Sequence, residues 1–284
     1  TTWGAAPFQE QKFDYDATVV ERLDQAGAVL IAKLTTGELA FGDKWFGGRT
    51  NNPWEPKQGS SGSSAGSAAA TAAGLVGFAI GTDTGGSILG PSIRCGVVGL
   101  RPTFGRVSRF GVMAAGFSLD KIGPMCRTAE DCAIVLYSIA GPDGKDFAVP
   151  NAIPFNWDAG IDVNSLKVGY FEKEFSEGSD KEENLNNELM LQTIKQSGIK
   201  PKPVSLPQNK LTYFIEFVER AAGFDEFTRQ DKELNAYSDE KWDPKIALRV
   251  SHLVPAVEYL QANRIRMLLM EDVANVMNDF DVVI

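Results

Sequence analysis

Residues 14–27 place Val19, Val20, Leu23 and Ala26 on one face at helical spacing, with Asp16 set to cap the start and Gly27 suited to the closing position. The continuous apolar run at 28–32 predicts a short buried strand. A second helical patch is expected over 36–41, and 42–58 is turn-rich, with Gly47-Gly48 and Asn52-Pro53. Small residues over 68–74 predict a helix able to lie close to other backbone, and 75–80 an apolar strand. Residues 96–123 are punctuated by glycine between short apolar runs. Thr128 and Asp131 approximate a capping box at the head of a helix closed by Gly141. The stretch 141–162 is polar and suits a surface crossover. A strand is expected at 166–171, an acidic amphipathic helix at 180–197, another strand near 204–206, and long helices over 209–234 and 244–278. Alternation of strand and helix predicts an α/β fold with a mainly parallel or mixed sheet, and no internal repeat is present.

The run at 59–67, GSSGSSAGS, has the composition of a flexible linker. Its position argues otherwise, because it leads directly into the small-residue helix and the apolar strand. A linker is not expected between core elements.

The chain has 284 residues, of which 43% are hydrophobic and 23% charged, enough to bury a core without disulfide or metal staples. With 28 Lys and Arg against 37 Asp and Glu, the net charge is −9, which argues against nucleic-acid binding. One histidine, His252, excludes a two-His zinc site. Three unevenly spaced cysteines, Cys95, Cys126 and Cys132, make neither a disulfide framework nor a zinc ribbon, and read as buried thiols of a reducing, cytoplasmic compartment. No run of 18 apolar residues predicts a membrane span. Thr1-Thr2-Trp3-Gly4 resembles no signal peptide, and Asp281-Val282-Val283-Ile284 reads as a strand cut in mid-run, so both ends look like internal points of a longer polypeptide.

Two glycine clusters invite a test for phosphate binding. Gly42-x4-Gly47 is followed by Gly48-Arg49 where a phosphate-binding loop needs Lys-Ser/Thr, and neither the Ser/Gly run nor 81–87 contains GxGxxG. Acyl chemistry fits better. In Gly81-Thr82-Asp83-Thr84-Gly85-Gly86-Ser87, adjacent glycines permit a sharp turn whose unshielded N–H groups can converge on an oxyanion, with Ser87 placed as nucleophile. A serine hydroxyl needs a base. His252 is one candidate, although it lies in a helical stretch with nothing to aim it at Ser87. A lysine made neutral by burial, acting through a relay hydroxyl from the Ser-rich run, is the other.

These segments resemble the amidase signature family. The resemblance is carried by Gly62-Ser63-Ser64-Ala65-Gly66-Ser67-Ala68-Ala69-Ala70, by Gly81 to Ser87 with Ile88, and by Cys95-Gly96-Val97-Val98-Gly99-Leu100-Arg101-Pro102-Thr103. Gly105-Arg106-Val107-Ser108 and Ser118-Leu119-Asp120-Lys121-Ile122-Gly123-Pro124 extend it. It is densest over 59–141 and spans nearly the whole chain as one amidase-type domain, with a variable helical substrate half over about 165–284. It implies an α/β fold with a central mixed β-sheet covered by helices on both faces. It also implies a Ser–cis-Ser–Lys triad. Ser87 matches the nucleophile, and Ser63, whose preceding peptide bond from Gly62 is cis in the family, matches the relay. Thr84, Gly85, Gly86 and Ser87 match the oxyanion donors, with Asp83 in support. Neither metal nor organic cofactor is implied.

The family's lysine lies in a Lys-Asp motif expected upstream of Thr1. Lys33, Lys44, Lys57 and Lys121 match no catalytic position, so the stretch from Thr1 to Ile284 alone is expected to be a poor catalyst. Many relatives carry Arg two residues after the nucleophile, where this chain has Leu89. Arg94 is a candidate to replace that charge near Asp83. The implied reaction cleaves a small-molecule amide to acid and ammonia or amine through an acyl-enzyme on Ser87, in a soluble protein without nucleic-acid or membrane partners and able to form a homodimer. The alternatives are the A subunit of a glutamine-dependent amidotransferase, which 103–124 resembles, and a catalytically inactive protein on the same fold. Residues 256–264 look more like stand-alone amidases.

Overall fold

The computed structural model describes residues 1–152, 154–177, 181–207, 211–230 and 243–284. In chain order the elements are α1 (Thr18–Gln25), β1 (Lys44–Trp45), β2 (Gly48–Arg49), α2 (Ala65–Ala72), β3 (Phe78–Asp83), α3 (Leu89–Cys95), β4 (Val98–Gly99), β5 (Lys121–Cys126) and α4 (Ala129–Ile139). They continue with β6 (Val168–Phe171), α5 (Glu172–Ser176), α6 (Lys181–Gln196), β7 (Lys202–Val204), α7 (Leu211–Gly223), α8 (Asp225–Arg229), α9 (Pro244–Ser251), α10 (Ala256–Met277) and β8 (Val282–Val283). Two compact units result, one of Thr1–Trp157 with Ile215–Pro255 and the other of Asp158–Phe214 with Ala256–Ile284.

In the first unit β5 is the middle strand of an antiparallel sheet ordered β3-β5-β4, and its first residue, Lys121, pairs with Asp83 at the end of β3. Val19 of α1, Val107, Ile122, and Leu136 and Ile139 of α4 form one buried cluster. Ala68 of α2, Ile88, Cys95 and Met125 form another, which fixes the residue directly after Ser87. In the second unit β6 is flanked by β7 and β8 in a parallel sheet. Parallel and antiparallel pairing with helices throughout makes the fold mixed α/β. Cys95, Cys126 and Cys132 are buried free thiols, as expected.

Several elements differ from the sequence pattern. The first helix starts at Thr18 with Ala17 as its cap, and Asp16 makes no cap bond. Its end follows expectation: Gly27 has φ +83°, and the N–H groups of Gly27 and Ala28 return to Asp24 and Leu23. Residues 28–32 form no strand. Val29, Leu30 and Ile31 are 84%, 70% and 70% exposed, because an apolar run becomes a strand only against a partner edge, and this one pairs with none among the described residues. The patch at 36–41 tightens to a 3-10 turn, Glu38–Ala40. The α2 helix begins at Ala65, three residues early, and β3 begins at Phe78 after Gly74 (φ +70°) closes the helix.

A helix not expected from the pattern, α3, follows Ser87. Pro91 lies in its first turn, where a missing N–H costs no intrahelical bond, and Gly96 (φ +67°) ends it. In α4, the Thr128 hydroxyl accepts the Asp131 N–H at 3.1 Å, completing the expected cap. The 209–234 helix is divided into α7 and α8, and its positions 209–210 and 231–234 lie outside the described residues, as does position 180 of the acidic helix. The 244–278 helix is divided at 252–255, where Pro255 cannot donate and disfavours helix at the preceding residue.

Candidate functional site

The Ser/Gly run is core rather than linker. Ser60, Ser63, Ser64 and Ser67 are all buried. The Gly62–Ser63 peptide bond is cis. A Cβ at position 62 would stand 1.8 Å from the Gly42 carbonyl oxygen, so only glycine fits there. The Ser63 carbonyl accepts from the Gly37 N–H and the Thr36 hydroxyl, both at 3.0 Å, while the buried Ser63 Oγ has no hydrogen-bond partner among the described residues. Ser64 joins the run to β3: its Oγ donates to the Thr82 carbonyl and accepts the Thr82 N–H, each at 3.0 Å. Ser67 Oγ adds a bond to the Ile80 carbonyl at 2.8 Å. The Ser64 N–H donates to the carbonyl of Ser87 at 3.2 Å. That bond is made by Ser64, the neighbour of Ser63, and ties the segment carrying Ser63 to the backbone of Ser87.

The turn carrying Ser87 is closed by Asp83, which is 1% exposed. Its Oδ1 accepts the Gly86 N–H at 2.8 Å and its Oδ2 the Ile88 N–H at 2.7 Å. Gly86 has φ +113°, open to glycine and strained for other residues. Ser87 itself is half-buried and Gly85 exposed. Thr84 is held from two directions: its hydroxyl donates to Asp120 Oδ1 at 2.6 Å, and Lys121 Nζ donates to its carbonyl at 3.2 Å. Lys121 also donates to the Leu119 carbonyl. Burial lowers the Lys121 pKa, against the pull of the Asp83 carboxylate; Arg101 lowers it further, and Asp120 and Glu216 oppose. The carboxylate of Glu216, on α7, lies against Gly85, where a Cβ would meet its Oε2 at 2.5 Å. Arg220 holds Glu216 Oε1 at 2.9 Å.

The charge beside Asp83 is Arg101, whose guanidinium lies 3.5 Å from Oδ1. Arg94 is not in that place. It donates to the Gln58 side chain at 3.0 Å on the surface, so the expected replacement by Arg94 is corrected to Arg101. Sequence patterns alone give no site role to Arg101, Lys121 or Glu216. Arg101 and Lys121 lie inside family-like motifs, but only the strand register of β3 on β5 brings them to the turn. His252 is the C-cap of α9, and its Nδ1 faces Asp225 at 3.5 Å. Lys33 reaches the Thr1 hydroxyl at 3.4 Å.

A cavity of about 220 Å³ lies beside Thr84, with Val112, Met113, Phe117, Asp120 and Lys121 among its walls. Among the described residues no cluster of His, Cys, Asp and Glu could hold a metal ion, and no helix is long and apolar enough to cross a membrane. The arrangement offers a half-buried serine on a tight glycine turn, bonded to the segment that carries a buried second serine; the Gly86 N–H, expected as an oxyanion donor, is instead taken by the Asp83 carboxylate. That geometry suits attack on a carbonyl carbon.

The sequence profile of the Amidase family matches residues 1–284. The chain belongs to the Amidase family. Among similar curated proteins, the A subunit of the glutamyl-tRNA(Gln) amidotransferase of Geobacillus stearothermophilus is 38% identical over 298 residues, covering 95% of this chain and 61% of that protein. Its counterpart from Chromohalobacter salexigens is 41% identical over 203 residues, 69% of this chain and 42% of that protein. Among solved structures, the counterpart from Thermotoga maritima superposes with a TM-score of 0.83 at 30% identity, over 100% of this chain and 62% of its own. The peptide amidase of Stenotrophomonas maltophilia superposes with a TM-score of 0.81 at 28% identity, over 100% of this chain and 65% of its own. The Amidase-family chain therefore spans about 61% of the length of the first curated relative.

Proposed function

We propose that the protein is an amidohydrolase that cleaves a carboxylic amide to acid and ammonia or amine through an acyl-enzyme on Ser87. The observation that carries this reading is the pairing of the Ser87 backbone with the segment holding the buried, unpartnered Ser63 hydroxyl. In the proposed reaction a neutral lysine, expected upstream of Thr1, takes a proton from Ser63 as Ser63 takes one from Ser87. Ser87 Oγ attacks the amide carbon, and the oxyanion is held by N–H groups of Thr84, Gly85 and Ser87, the Gly86 N–H being committed to Asp83. The proton returns through Ser63 to the leaving nitrogen. Water then attacks the acyl-enzyme by the same relay and releases the acid.

The experiment is labelling of the full-length protein with a serine-reactive fluorophosphonate. Labelling that disappears in Ser87→Ala supports the reading; a folded protein that does not label favours the catalytically inactive alternative. Identity to amidotransferase A subunits supports a second reading, in which the same serines release ammonia from glutamine for a partner protein. Glutaminase activity that rises on adding the partner proteins favours that role. Turnover of simple amides by the protein alone favours the free hydrolase.

A further inference from the structure

We propose that Lys121 is a positioning residue of the Ser87 site, aiming the Gly85 N–H by fixing the carbonyl of Thr84. The assignment rests on the acyl-transfer reading above. A peptide unit is planar, so the Thr84 carbonyl and the Gly85 N–H are carried by one rigid plane and point in opposite directions. Whatever holds the oxygen sets the direction of the N–H. Lys121 Nζ donates to that oxygen at 3.2 Å, and Asp120 holds the Thr84 hydroxyl at 2.6 Å. Residue 84 is therefore fixed at backbone and side chain by two consecutive residues, the first residue of β5 and the one just before it. Asp120 is itself anchored, because it accepts the N–H groups of Ala115 and Gly116 at 2.8–3.0 Å.

The strand register explains the geometry. Lys121 is the direct cross-strand partner of Asp83, so the two side chains leave the same face of the sheet. Asp83 closes the far side of the turn through Gly86 and Ile88 while Lys121 holds its near side. Gly85, between these anchors, is exposed and is one of the proposed oxyanion donors. The amine keeps N–H donors in either protonation state, so its hold on Thr84 survives the lowering of its pKa.

The test uses the full-length protein, and the wild type is measured first. A wild type that neither labels with a fluorophosphonate nor hydrolyses an amide overturns the acyl-transfer reading and this assignment with it. With an active wild type, Lys121→Met removes the donor and Lys121→Arg retains one. Lys121→Met is expected to lower kcat and the labelling rate about 10- to 100-fold, less than outright loss of an oxyanion donor, with KM within about twofold. Lys121→Arg is expected to recover most of that loss. Wild-type kcat and labelling in Lys121→Met overturn the proposal. So does an equal loss in both variants accompanied by a fallen melting midpoint, which assigns Lys121 to packing. If Lys121→Met does not fold, Lys121→Gln replaces it: kcat well above a thousandth of wild type supports a donor role when Lys121→Arg is also active, and an inactive but folded pair overturns it.

Discussion

Arg101 brings its guanidinium to 3.5 Å from the buried carboxylate of Asp83, the residue that closes the turn around Ser87. A lone buried carboxylate is costly, and here it is offset by two N–H donors and one cation. Arg101→Ala is expected to lower the hydrolysis rate with a stability cost below about 1 kcal/mol, since its side chain is 41% exposed. Arg94→Ala should leave the rate unchanged and stability within about 0.5 kcal/mol. Parallel kinetics and thermal melts of the two variants check this; slow hydrolysis in Arg94→Ala would sink it.

Asp83→Asn tests the turn more directly. The Gly86 and Ile88 N–H groups bond different oxygens of Asp83, and in asparagine one of those two positions becomes an NH2 that cannot accept, leaving one N–H without its partner. The expected loss is about 1–3 kcal/mol of stability, read as a lower denaturant midpoint, with labelling of Ser87 slowed.

The two neighbouring glycine sites should respond differently to alanine. At Gly62 the added methyl meets fixed backbone at 1.8 Å, and Gly62→Ala is expected to destabilise by at least about 1–3 kcal/mol. At Gly85 it meets the tip of the Glu216 side chain, which can move if Arg220 releases it. Gly85→Ala should therefore melt near the wild-type midpoint while losing activity. Equal melting losses in both variants would contradict this account.

Removal of Ser87 and Ser63 should separate chemistry from folding. Ser87→Ala is expected to abolish fluorophosphonate labelling. Ser63→Ala, which deletes a buried hydroxyl with no partner, should retain stability yet slow hydrolysis by roughly 10²- to 10⁴-fold, the range for a proton-transfer group. Circular dichroism melts alongside amide turnover decide the matter.

Acid stability should trace to the segment after α4. The Arg109 guanidinium beside Asp146 holds its carboxyl down to about 2, from an ordinary 3.8. Burial works to raise Asp143, but the hydroxyls of Ser108 and Thr18 and two backbone N–H groups hold it well below the usual carboxylate range. A depressed carboxylate stabilises the fold above its unfolded value. The contribution of Asp146 is thus whole above about pH 4 and is lost as pH falls toward about 2. Asp146→Asn should lower stability at neutral pH and flatten the pH dependence in that window, as measured by denaturant titrations from about pH 2 to 6.

The glycine turn around Ser87 is legible in the sequence because a short local pattern specifies it, with Asp83 three residues before Gly86, whereas Ser63 is set apart from the other serines of its run only by the family resemblance. The capped helix after Thr128 is legible for the same reason. Arg101, Lys121 and Glu216 are not, because each reaches the turn through strand pairing or helix packing that no local pattern encodes. The apolar run at 28–32 misleads for a related reason: its composition specifies affinity for a sheet, and pairing depends on a neighbour elsewhere. Arg94 misleads because nearness to Ser87 in sequence is not nearness in space, and α3 carries it to the surface beside Gln58.

The bonds of Ser64 to Thr82 and of Ser67 to Ile80 span only 18 and 13 residues. Closing loops of that size costs little chain entropy, and each doubling adds about 0.6 kcal/mol. The tie between the Ser63 segment and the strand leading to Ser87 is thus a short-range property of the polypeptide and inexpensive to form, while β5 and Arg101 hold the turn from outside that stretch.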